Sequence, residues 1–258
     1  MKKFENKNVI VTGSSEGVGR EIAFEYAREG AFLILVNRRK PEETMKLIKS
    51  AGGKSDYILC DITDENQIKS MAIEAGKKCN GKVDILVNNA GYNGKVNLVK
   101  NMKLSDWEYT LRVNLTGTML VCREIIPYLI NNKSGKIVNM ASNVARRGLP
   151  LRSDYVCSKW ALLGFTQTLA LELVDYRIRV NAVCPGPIEG DRIEQIVKMH
   201  AEIEGKSVDE MHKAWEDVPM KRFVTPQEVA KVMMFLSSDD SSAMTGQALN
   251  ITGGFIMT

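Results

Sequence analysis

Short apolar segments alternate with helix-forming segments along nearly the whole chain, and this alternation restricts the possible fold more than any other feature. The segments predicted as strands are residues 9–11, 31–36, 56–61, 83–87, 136–140, 178–183 and 247–251. Strands buried on both faces are continuously apolar, and strands that alternate with helices form parallel sheets. The alternation therefore predicts an α/β fold in which helices cover both faces of a parallel sheet.

The alternation of strands and helices contains no segment that would mark a domain boundary. The 258 residues suffice for one large domain with a substantial core. No stretch of linker composition and no internal repeat divides them. We therefore predict a single domain over residues 1–258. One polar, helix-prone segment, at about residues 190–218, is inserted into the regular pattern.

Composition and charge argue against several classes of protein. The net charge is only +4, and the one basic cluster, Arg38-Arg39-Lys40, is too short to predict nucleic-acid binding. No apolar run approaches the roughly 18 residues that span a membrane, and the first residues lack the apolar stretch of a signal peptide. The five cysteines form no close pair, which favours a reducing, cytoplasmic location and argues against disulfides or a metal site.

The first predicted strand ends in a glycine-rich turn. The turn reads Thr12-Gly13-Ser14-Ser15-Glu16-Gly17-Val18-Gly19, and an amphipathic helix with Ile22, Ala23, Tyr26 and Ala27 on one side follows it. Glycines let the backbone approach a diphosphate closely, and a helix N-terminus offers free N–H groups with a partial positive charge. Because these glycines end a strand and open a helix, we interpret the turn as a phosphate-binding site.

The end of the second predicted strand bears on which dinucleotide would bind. An acidic residue at this place suits a free ribose 2′-OH, whereas an arginine accommodates a 2′-phosphate. Here the strand ends in Asn37-Arg38-Arg39, which favours NADP(H). Glu16, in the glycine turn, opposes that preference, so NAD(H) stays possible.

A tyrosine and a lysine stand four residues apart near the start of a predicted helix. Tyr155 and Lys159 then share one helix face, and Ser142 follows the fifth predicted strand. A free tyrosine has a pKa of about 10, and a nearby ammonium lowers it by favouring the phenolate. With a serine hydroxyl to hold a substrate oxygen, these three groups suit proton transfer to or from an alcohol.

Cys157 lies between these two residues and could be taken for a nucleophile. Activation of a thiol usually needs a basic partner such as histidine. The chain has only two histidines, and both lie far along the sequence. We therefore expect Cys157 to be a buried packing thiol.

A set of short motifs in a fixed order resembles one protein family. The motifs are Thr12-Gly13-x3-Gly17-x-Gly19, Asp61, Asn88-Asn89-Ala90-Gly91, Asn114, Ser142, Tyr155-x3-Lys159 and Pro185-Gly186. In order and spacing they resemble the compact branch of the short-chain dehydrogenase/reductases, over about residues 6–255. The resemblance implies a Rossmann-type, doubly wound parallel sheet of about seven strands, a nicotinamide cofactor and a homotetramer.

The resemblance also implies roles for the matching residues. Tyr155 would be the acid/base, Ser142 would position the substrate oxygen, and Asn114 would support a proton relay through water. Lys159 would bind the nicotinamide ribose and lower the pKa of Tyr155. Asp61 would lie at the adenine, Asn88 at the adenosine-side ribose and Ile188 at the carboxamide. The full set of residues that the resemblance implies at the cofactor is Gly13, Ser15, Gly17, Val18, Gly19, Asn37, Arg38, Arg39, Asp61, Ile62, Asn88, Ala90, Gly91, Tyr155, Lys159, Pro185, Gly186 and Ile188.

The sequence departs from the family pattern in three places. Glu16 stands where Ser or Arg is frequent, and Gly190 stands where Thr commonly contacts the cofactor. The polar segment at about 190–218 is long for the family, and by the resemblance it covers the substrate. Its Trp215, with Asn143 and Arg152 elsewhere, is a candidate substrate contact.

Together these features predict an enzyme that moves hydride between NADP(H) and a carbonyl or secondary alcohol. The alternatives are the same reaction with NAD(H), or a catalytically silent protein that binds the cofactor and acts as a regulator.

Arg146, Arg147 and Arg152 flank Ser142 and Tyr155 in sequence. We therefore also expect that an arginine, in particular Arg152, contacts an anionic group of the substrate.

Overall fold

The strands of the protein follow the apolar segments of its sequence. The computed structural model describes residues 2–258. Its strands are β1 (Asn8–Thr12), β2 (Phe32–Asn37), β3 (Lys54–Leu59), β4 (Ile85–Asn88), β5 (Gly135–Met140), β6 (Ile178–Pro185) and β7 (Ala248–Ile251). They form one seven-stranded sheet in the order β3-β2-β1-β4-β5-β6-β7, and every neighbouring pair is parallel. The predicted Rossmann-type parallel sheet is confirmed.

Helices connect the strands and cover both faces of the sheet. They are α1 (Gly17–Arg28), α2 (Glu42–Ser50), α3 (Glu65–Lys78), α4 (Leu104–Leu111), α5 (Thr118–Asn131), α6 (Ser153–Leu173), α7 (Asp191–Glu204), α8 (Val208–Glu216) and α9 (Pro226–Ser237). No helix within residues 2–258 is both long enough and apolar enough to cross a membrane. The sequence analysis did not predict α2. A capping box formed by Thr225 and Glu228 opens α9.

The alternating side chains of the strands divide the core into two layers. Val9 and Val11 of β1 pack in one cluster with side chains of α1 and α9, while Ile10 packs in another with side chains of α3, α5 and α6. Successive side chains of a strand point to opposite faces, so apolar residues at consecutive positions bury both. This explains why the strand segments are continuously apolar.

The strand order determines where a ligand site can form. Chain connections run outward in opposite directions from β1 and β4, which lie side by side. In open parallel sheets a crevice forms at such a switch point, beyond the carboxyl ends of the strands. The glycine turn follows β1, Asn88 ends β4, and Ser142 lies just beyond β5. The fold therefore gathers these predicted residues at one edge of the sheet.

The helical segment that follows β4 is interrupted. A π-helical turn, Arg112–Gly117, joins α4 to α5 and contains the buried Asn114. π-helical turns inside α-helices are rare and frequently occur at functional sites. The local widening changes which way the side chain of Asn114 faces, and sequence spacing alone did not predict it.

One expectation about α6 is wrong. Cys157 is exposed rather than buried, because it lies two residues from Tyr155 and so on the opposite side of the helix. Trp160 of the same helix is 51% exposed. The thiols of Cys60, Cys79 and Cys122 are buried, and burial raises the pKa of each to about 12.

Candidate active site

The glycine turn after β1 is held closely against the turn after β4. Gly13 has a φ of +66°, and a Cβ on it would lie 2.8 Å from Cα of Ala90. The side-chain nitrogen of Asn89 donates to the carbonyls of Thr12 and Gly13, at 3.1 and 2.7 Å. Gly19 packs as tightly, since a Cβ there would lie 2.0 Å from the carbonyl oxygen of Gly13. No larger residue fits at positions 13 and 19 without displacing backbone.

The N-terminus of α1 remains open beside this turn. Glu16 occupies the N-cap position, but its side chain makes no capping hydrogen bond. Gly17 has a φ of +53° and nothing would lie within 4 Å of a Cβ on it. Ser15 and Val18, which flank this opening, are both partly exposed. Free N–H groups at an open helix N-terminus fit the diphosphate of a dinucleotide.

The predicted residues at the end of β2 have different surroundings. Asn37 is buried; its side-chain oxygen accepts from the backbone N–H of Ser14 at 2.7 Å, and its nitrogen donates to the Ser14 hydroxyl at 3.0 Å. Asn37 therefore holds the glycine turn in place. Arg38 and Arg39 are exposed at the carboxyl end of the strand, where they are free to contact a ligand.

The turns after β3 and β4 place the next predicted residues. Asp61 accepts from the backbone N–H and the hydroxyl of Thr63, at 2.9 and 2.8 Å, and the neighbouring Ile62 is buried. Asn88 lies in the interior, where its side-chain nitrogen donates to Asn139 Oδ1 at 2.9 Å. That amide links β4 to β5, and its Oδ1 makes no hydrogen bond within residues 2–258.

Ser142, Tyr155 and Lys159 lie at the carboxyl end of β5. Lys159 is buried, and its Nζ donates to the carbonyl of Met140 at 2.7 Å and lies 5.7 Å from the centroid of the Tyr155 ring. Ser142 is buried as well, and its hydroxyl donates to Oδ1 of Asn143 at 3.1 Å. The first turn of α6 and the end of β5 thus bring together the three residues selected from the sequence.

The surroundings of Tyr155 shift its protonation toward the phenolate. Burial is the largest influence and raises its pKa, but the positive charges near the phenol together act more strongly and hold the pKa of Tyr155 below its ordinary value. These groups are Lys159, Arg192 and Arg152, with a further contribution from the Ser142 hydroxyl. Burial also lowers the pKa of Lys159, although the Tyr155 phenolate opposes this. The pair is therefore suited to proton exchange nearer neutral pH.

Asn114 connects the site to the turn after β4. Its Oδ1 accepts from the backbone N–H of Tyr92 at 2.7 Å, and its Nδ2 donates to the carbonyl of Tyr92 at 2.9 Å and to the Ser158 hydroxyl at 3.0 Å. A carbonyl oxygen has two lone pairs, so Oδ1 can accept one further hydrogen bond. Asn114 thus holds α6 against this turn and keeps an acceptor directed toward Gly91.

The segment after β6 borders the same crevice. Pro185 is buried, and the backbone N–H of Gly186 donates to the carbonyl of Ile251 at 2.9 Å. Ile188 pairs with Val224 in an isolated parallel bridge. Gly190 has a φ of +129° and open space around it. This segment leads into α7 and α8 of the inserted region.

Of the three arginines near the site in sequence, only Arg152 reaches Tyr155. Its guanidinium carbon lies 4.8 Å from the centroid of the tyrosine ring. Arg146 instead donates to the carbonyl of Ala248 at 3.0 Å, and Arg147 stacks on the ring of Phe255 at 4.3 Å. Arg146 and Arg147 therefore tie their loop to the C-terminal segment.

Sequence reasoning missed Arg192, which comes from the first turn of α7. Its Nη2 donates to the carbonyl of Gly91 at 2.9 Å and its Nε to Oδ1 of Asn93 at 3.0 Å. Its position directly after the β6 segment was the only signal in the sequence.

Trp215 of α8 packs edge-on against His200 of α7, with ring centroids 5.1 Å apart.

The sheet, the open helix N-terminus at its switch point and the tyrosine–lysine pair define a class, the dinucleotide-binding α/β proteins. A family model described as enoyl-(acyl carrier protein) reductase matches residues 13–256. The 3-oxoacyl-(acyl-carrier-protein) reductase FabG of Thermotoga maritima is 36% identical over 257 residues, which cover 99% of this chain and 100% of that relative. The chain belongs to the short-chain dehydrogenase/reductase family, whose members are oxidoreductases that use NAD(P)(H).

Solved structures agree with this assignment. NAD+-bound xylitol dehydrogenase superposes with a TM-score of 0.95 at 32% identity, covering 98% of this chain and 100% of that one. A variant of actinorhodin polyketide ketoreductase with NADPH superposes with a TM-score of 0.92 at 32% identity, covering 96% and 97%. These two relatives carry different nicotinamide cofactors.

Proposed function

We propose that the protein transfers hydride between NADP(H) and a substrate that is a secondary alcohol in one direction and a ketone or aldehyde in the other. The observation that supports this most directly is the pairing of Tyr155 with Lys159 at the carboxyl edge of the sheet, next to the open N-terminus of α1. When bound, the nicotinamide supplies or accepts the hydride. The chain itself has to supply orientation and a proton.

Tyr155 is the proposed acid and base. In reduction, its phenol donates a proton to the carbonyl oxygen of the substrate as that oxygen gains negative charge; in oxidation, its phenolate accepts the proton of the alcohol. Lys159 stabilises the phenolate by its charge. The Ser142 hydroxyl holds the substrate oxygen against the phenol, and Asn114 supports return of a proton through water.

We propose that the cofactor binds along the switch point. The open N-terminus of α1, at Gly17 and Val18, holds the diphosphate, and Asp61 and Ile62 border the adenine. Lys159 hydrogen-bonds the nicotinamide ribose, and the segment Pro185-Gly186 with Ile188 borders the carboxamide. The uncapped helix and the free space at Gly17 support this arrangement.

A preference for NADP(H) follows from the charges at the end of β2. Asn37 there is uncharged and engaged with Ser14, while Arg38 and Arg39 are exposed beside it. A ribose 2′-phosphate would be attracted by the two arginines and meets no acidic residue at that strand end. Glu16 at the N-cap of α1 weakens the preference.

The inserted helices α7 and α8 are the proposed substrate cover. They have a small core of their own, in which Ile193, Val197, Met211 and Phe223 pack together. Arg192 ties the start of α7 to the turn after β4. A pair of helices that pack against each other can cover a substrate without disturbing the sheet.

The family resemblance further supports a homotetramer. Trp160 and Leu171 project from α6 with 51% and 78% of their surface exposed. Exposed large apolar side chains on one helix are typical of a subunit contact. Light scattering coupled to gel filtration would measure the assembly mass, and a monomer at micromolar concentration would contradict it.

The proposed reaction is tested by a spectrophotometric screen. Oxidation of NADPH and NADH is measured against ketones, oxo acids, sugars, steroids and oxoacyl thioesters, and reduction of NADP+ against the matching alcohols. We expect turnover in at least one chemical class that Tyr155→Phe removes. Turnover that survives in Tyr155→Phe would contradict the assigned acid and base.

A further inference from the structure

Two arginines from separate elements converge on Asn93. Arg152, just before α6, donates to the backbone carbonyl of Asn93, and Arg192 of α7 donates to its side-chain oxygen. Arg192 also donates to the carbonyl of Gly91. Both guanidinium charges lie near enough to Tyr155 to lower its pKa. The two positive groups therefore meet at the place where a substrate would approach the phenol.

Arg152 is buried without an ionic partner. It is 2% exposed, its Nε makes no hydrogen bond, and it forms no ion pair within residues 2–258. The adjacent Asp154 accepts hydrogen bonds from the Thr110 hydroxyl and from the N–H of Tyr155, both at 2.7 Å. Burying a charge costs free energy unless a hydrogen-bonded partner compensates it. The arrangement is thus suited to a partner that the chain does not itself provide.

The backbone before Arg152 is strained. Leu151 has a φ of 67°, in the left-handed region that residues other than glycine rarely adopt. Its carbonyl is held by the backbone N–H of Asn97 at 2.8 Å. Backbone strain of this kind persists where the surrounding structure requires one conformation, often at a ligand site. Arg152 follows Leu151 directly, and its guanidinium carbon lies 4.8 Å from the centroid of the Tyr155 ring.

The inserted helices contribute a second buried polar atom without a partner. His200 of α7 is 3% exposed, and its Nε2 makes no hydrogen bond. Its Nδ1 lies 3.6 Å from Glu204, and Trp215 covers one edge of its ring. Burial and then the charge of Arg152 lower the pKa of His200. His200 is therefore a second buried polar group without a full set of partners, and it lies within the influence of the Arg152 charge.

We propose that the substrate carries an anionic group, a carboxylate or a similar oxyanion, which Arg152 binds while Arg192 closes over it from α7. The inference rests on the proposed function, because it concerns the same substrate. Carbonyl oxygens such as those of Asn93 and Gly91 are weaker acceptors for guanidinium than an oxyanion is. A planar guanidinium also matches a carboxylate with two parallel hydrogen bonds. The bound anion would compensate the buried charge of Arg152.

The direct test is an equilibrium titration that needs no turnover. Acetoacetate and its uncharged methyl ester are titrated calorimetrically into the protein saturated with NADP+. We expect the acid to bind about 10- to 100-fold more tightly, as for hydrogen bonds to charged groups. Arg152→Gln should remove this difference, and Arg152→Lys should restore part of it. Equal affinities, or no measurable binding of either compound, would overturn the proposal.

Two further variants separate a binding role from a structural one. Arg192→Gln alters an exposed side chain, so folding is preserved, and it should weaken acetoacetate binding while hardly affecting the ester. Arg147→Gln removes a matched arginine that stacks on Phe255 and should leave both affinities unchanged. Equal weakening of acid and ester by Arg192→Gln would contradict charge recognition.

Steady-state kinetics distinguish failure of this inference from failure of the proposed function. With NADPH, KM for acetoacetate should rise about 10- to 100-fold in Arg192→Gln, whereas KM for the ester should change little. Reduction of the ester in preference to the acid would overturn the anion site while leaving the oxidoreductase intact. Tighter binding of the acid without reduction of any carbonyl compound in the wider screen would count against the proposed function alone.

Discussion

The ammonium of Lys159 lies 5.7 Å from the centroid of the Tyr155 ring and donates a hydrogen bond to the carbonyl of Met140. One helical turn separates the two residues in α6, and the hydrogen bond fixes the lysine at the carboxyl end of β5. The charge of Lys159 is thus held where it stabilises the phenolate. This is why the pKa of Tyr155 lies below its ordinary value even though burial raises it.

The pH dependence of the reaction should follow from that pKa. Reduction needs the protonated phenol, so kcat/KM should fall as the pH rises through the pKa of Tyr155. Oxidation needs the phenolate, so kcat/KM should fall as the pH drops below it. In Lys159→Gln, burial still raises the pKa of Tyr155, and the ammonium no longer opposes it. The pH profiles of both reduction and oxidation should therefore shift to higher pH. Profiles that do not move would contradict the role given to Lys159.

Removing only the hydroxyl of Tyr155 should abolish most turnover without disturbing the fold. We expect Tyr155→Phe to lower kcat by about 10²- to 10⁴-fold, the usual contribution of a general acid or base. Cofactor affinity, measured by quenching of NADPH fluorescence, should stay within about threefold, a change of under 1 kcal/mol. A variant that retains more than half of the wild-type kcat would exclude Tyr155 as the proton donor.

Reversing the charge at the end of β2 should change the choice of cofactor. Arg38→Asp should reduce the ratio of kcat/KM for NADPH over NADH, or invert it, because a carboxylate repels the 2′-phosphate. Lys54→Asp makes the same charge change on an exposed residue at the amino end of β3 and serves as the control. Equal kcat/KM for both cofactors in the wild type would argue against the preference.

Gly13→Ala should destabilise the protein beyond the cost of its backbone conformation. A left-handed φ costs a residue with a Cβ about 1–2 kcal/mol, and the new Cβ would also lie 2.8 Å from Cα of Ala90. Gly81→Ala has a similar φ of +77° with nothing nearby, so it measures the backbone cost alone. Urea unfolding of both variants should give the larger loss for Gly13→Ala, and equal losses would contradict the predicted clash.

The sequence predicted the sheet and the glycine turn because these depend on local patterns. Apolar runs that bury both faces of a strand, and glycines between a strand and a helix, have few structural solutions. The spacing of Tyr155 and Lys159 similarly determines that they share a helix face. The unpredicted α2 is short and strongly charged, with two acidic residues in its first turn. Propensity alone is a weak guide to such a segment.

The side-chain partners could not be predicted in the same way, because they come from segments distant in sequence. Nothing near Asn88 indicates that its amide turns inward to Asn139, or that the π-helical turn directs Asn114 toward Tyr92. The exposure of Cys157 likewise depends on which side of α6 faces the sheet.

The sequence by itself therefore determined the family, the parallel sheet of about seven strands that the family implies, and the residues available for proton transfer. Only the tertiary structure decided which of three nearby arginines reaches Tyr155, and that Arg192, distant in sequence, joins it at Asn93. The physical reason is that covalent spacing fixes neighbours within a helix or a turn. Contacts between α7 and the turn after β4 instead depend on how the whole chain packs, and that packing sets the charge around the phenol.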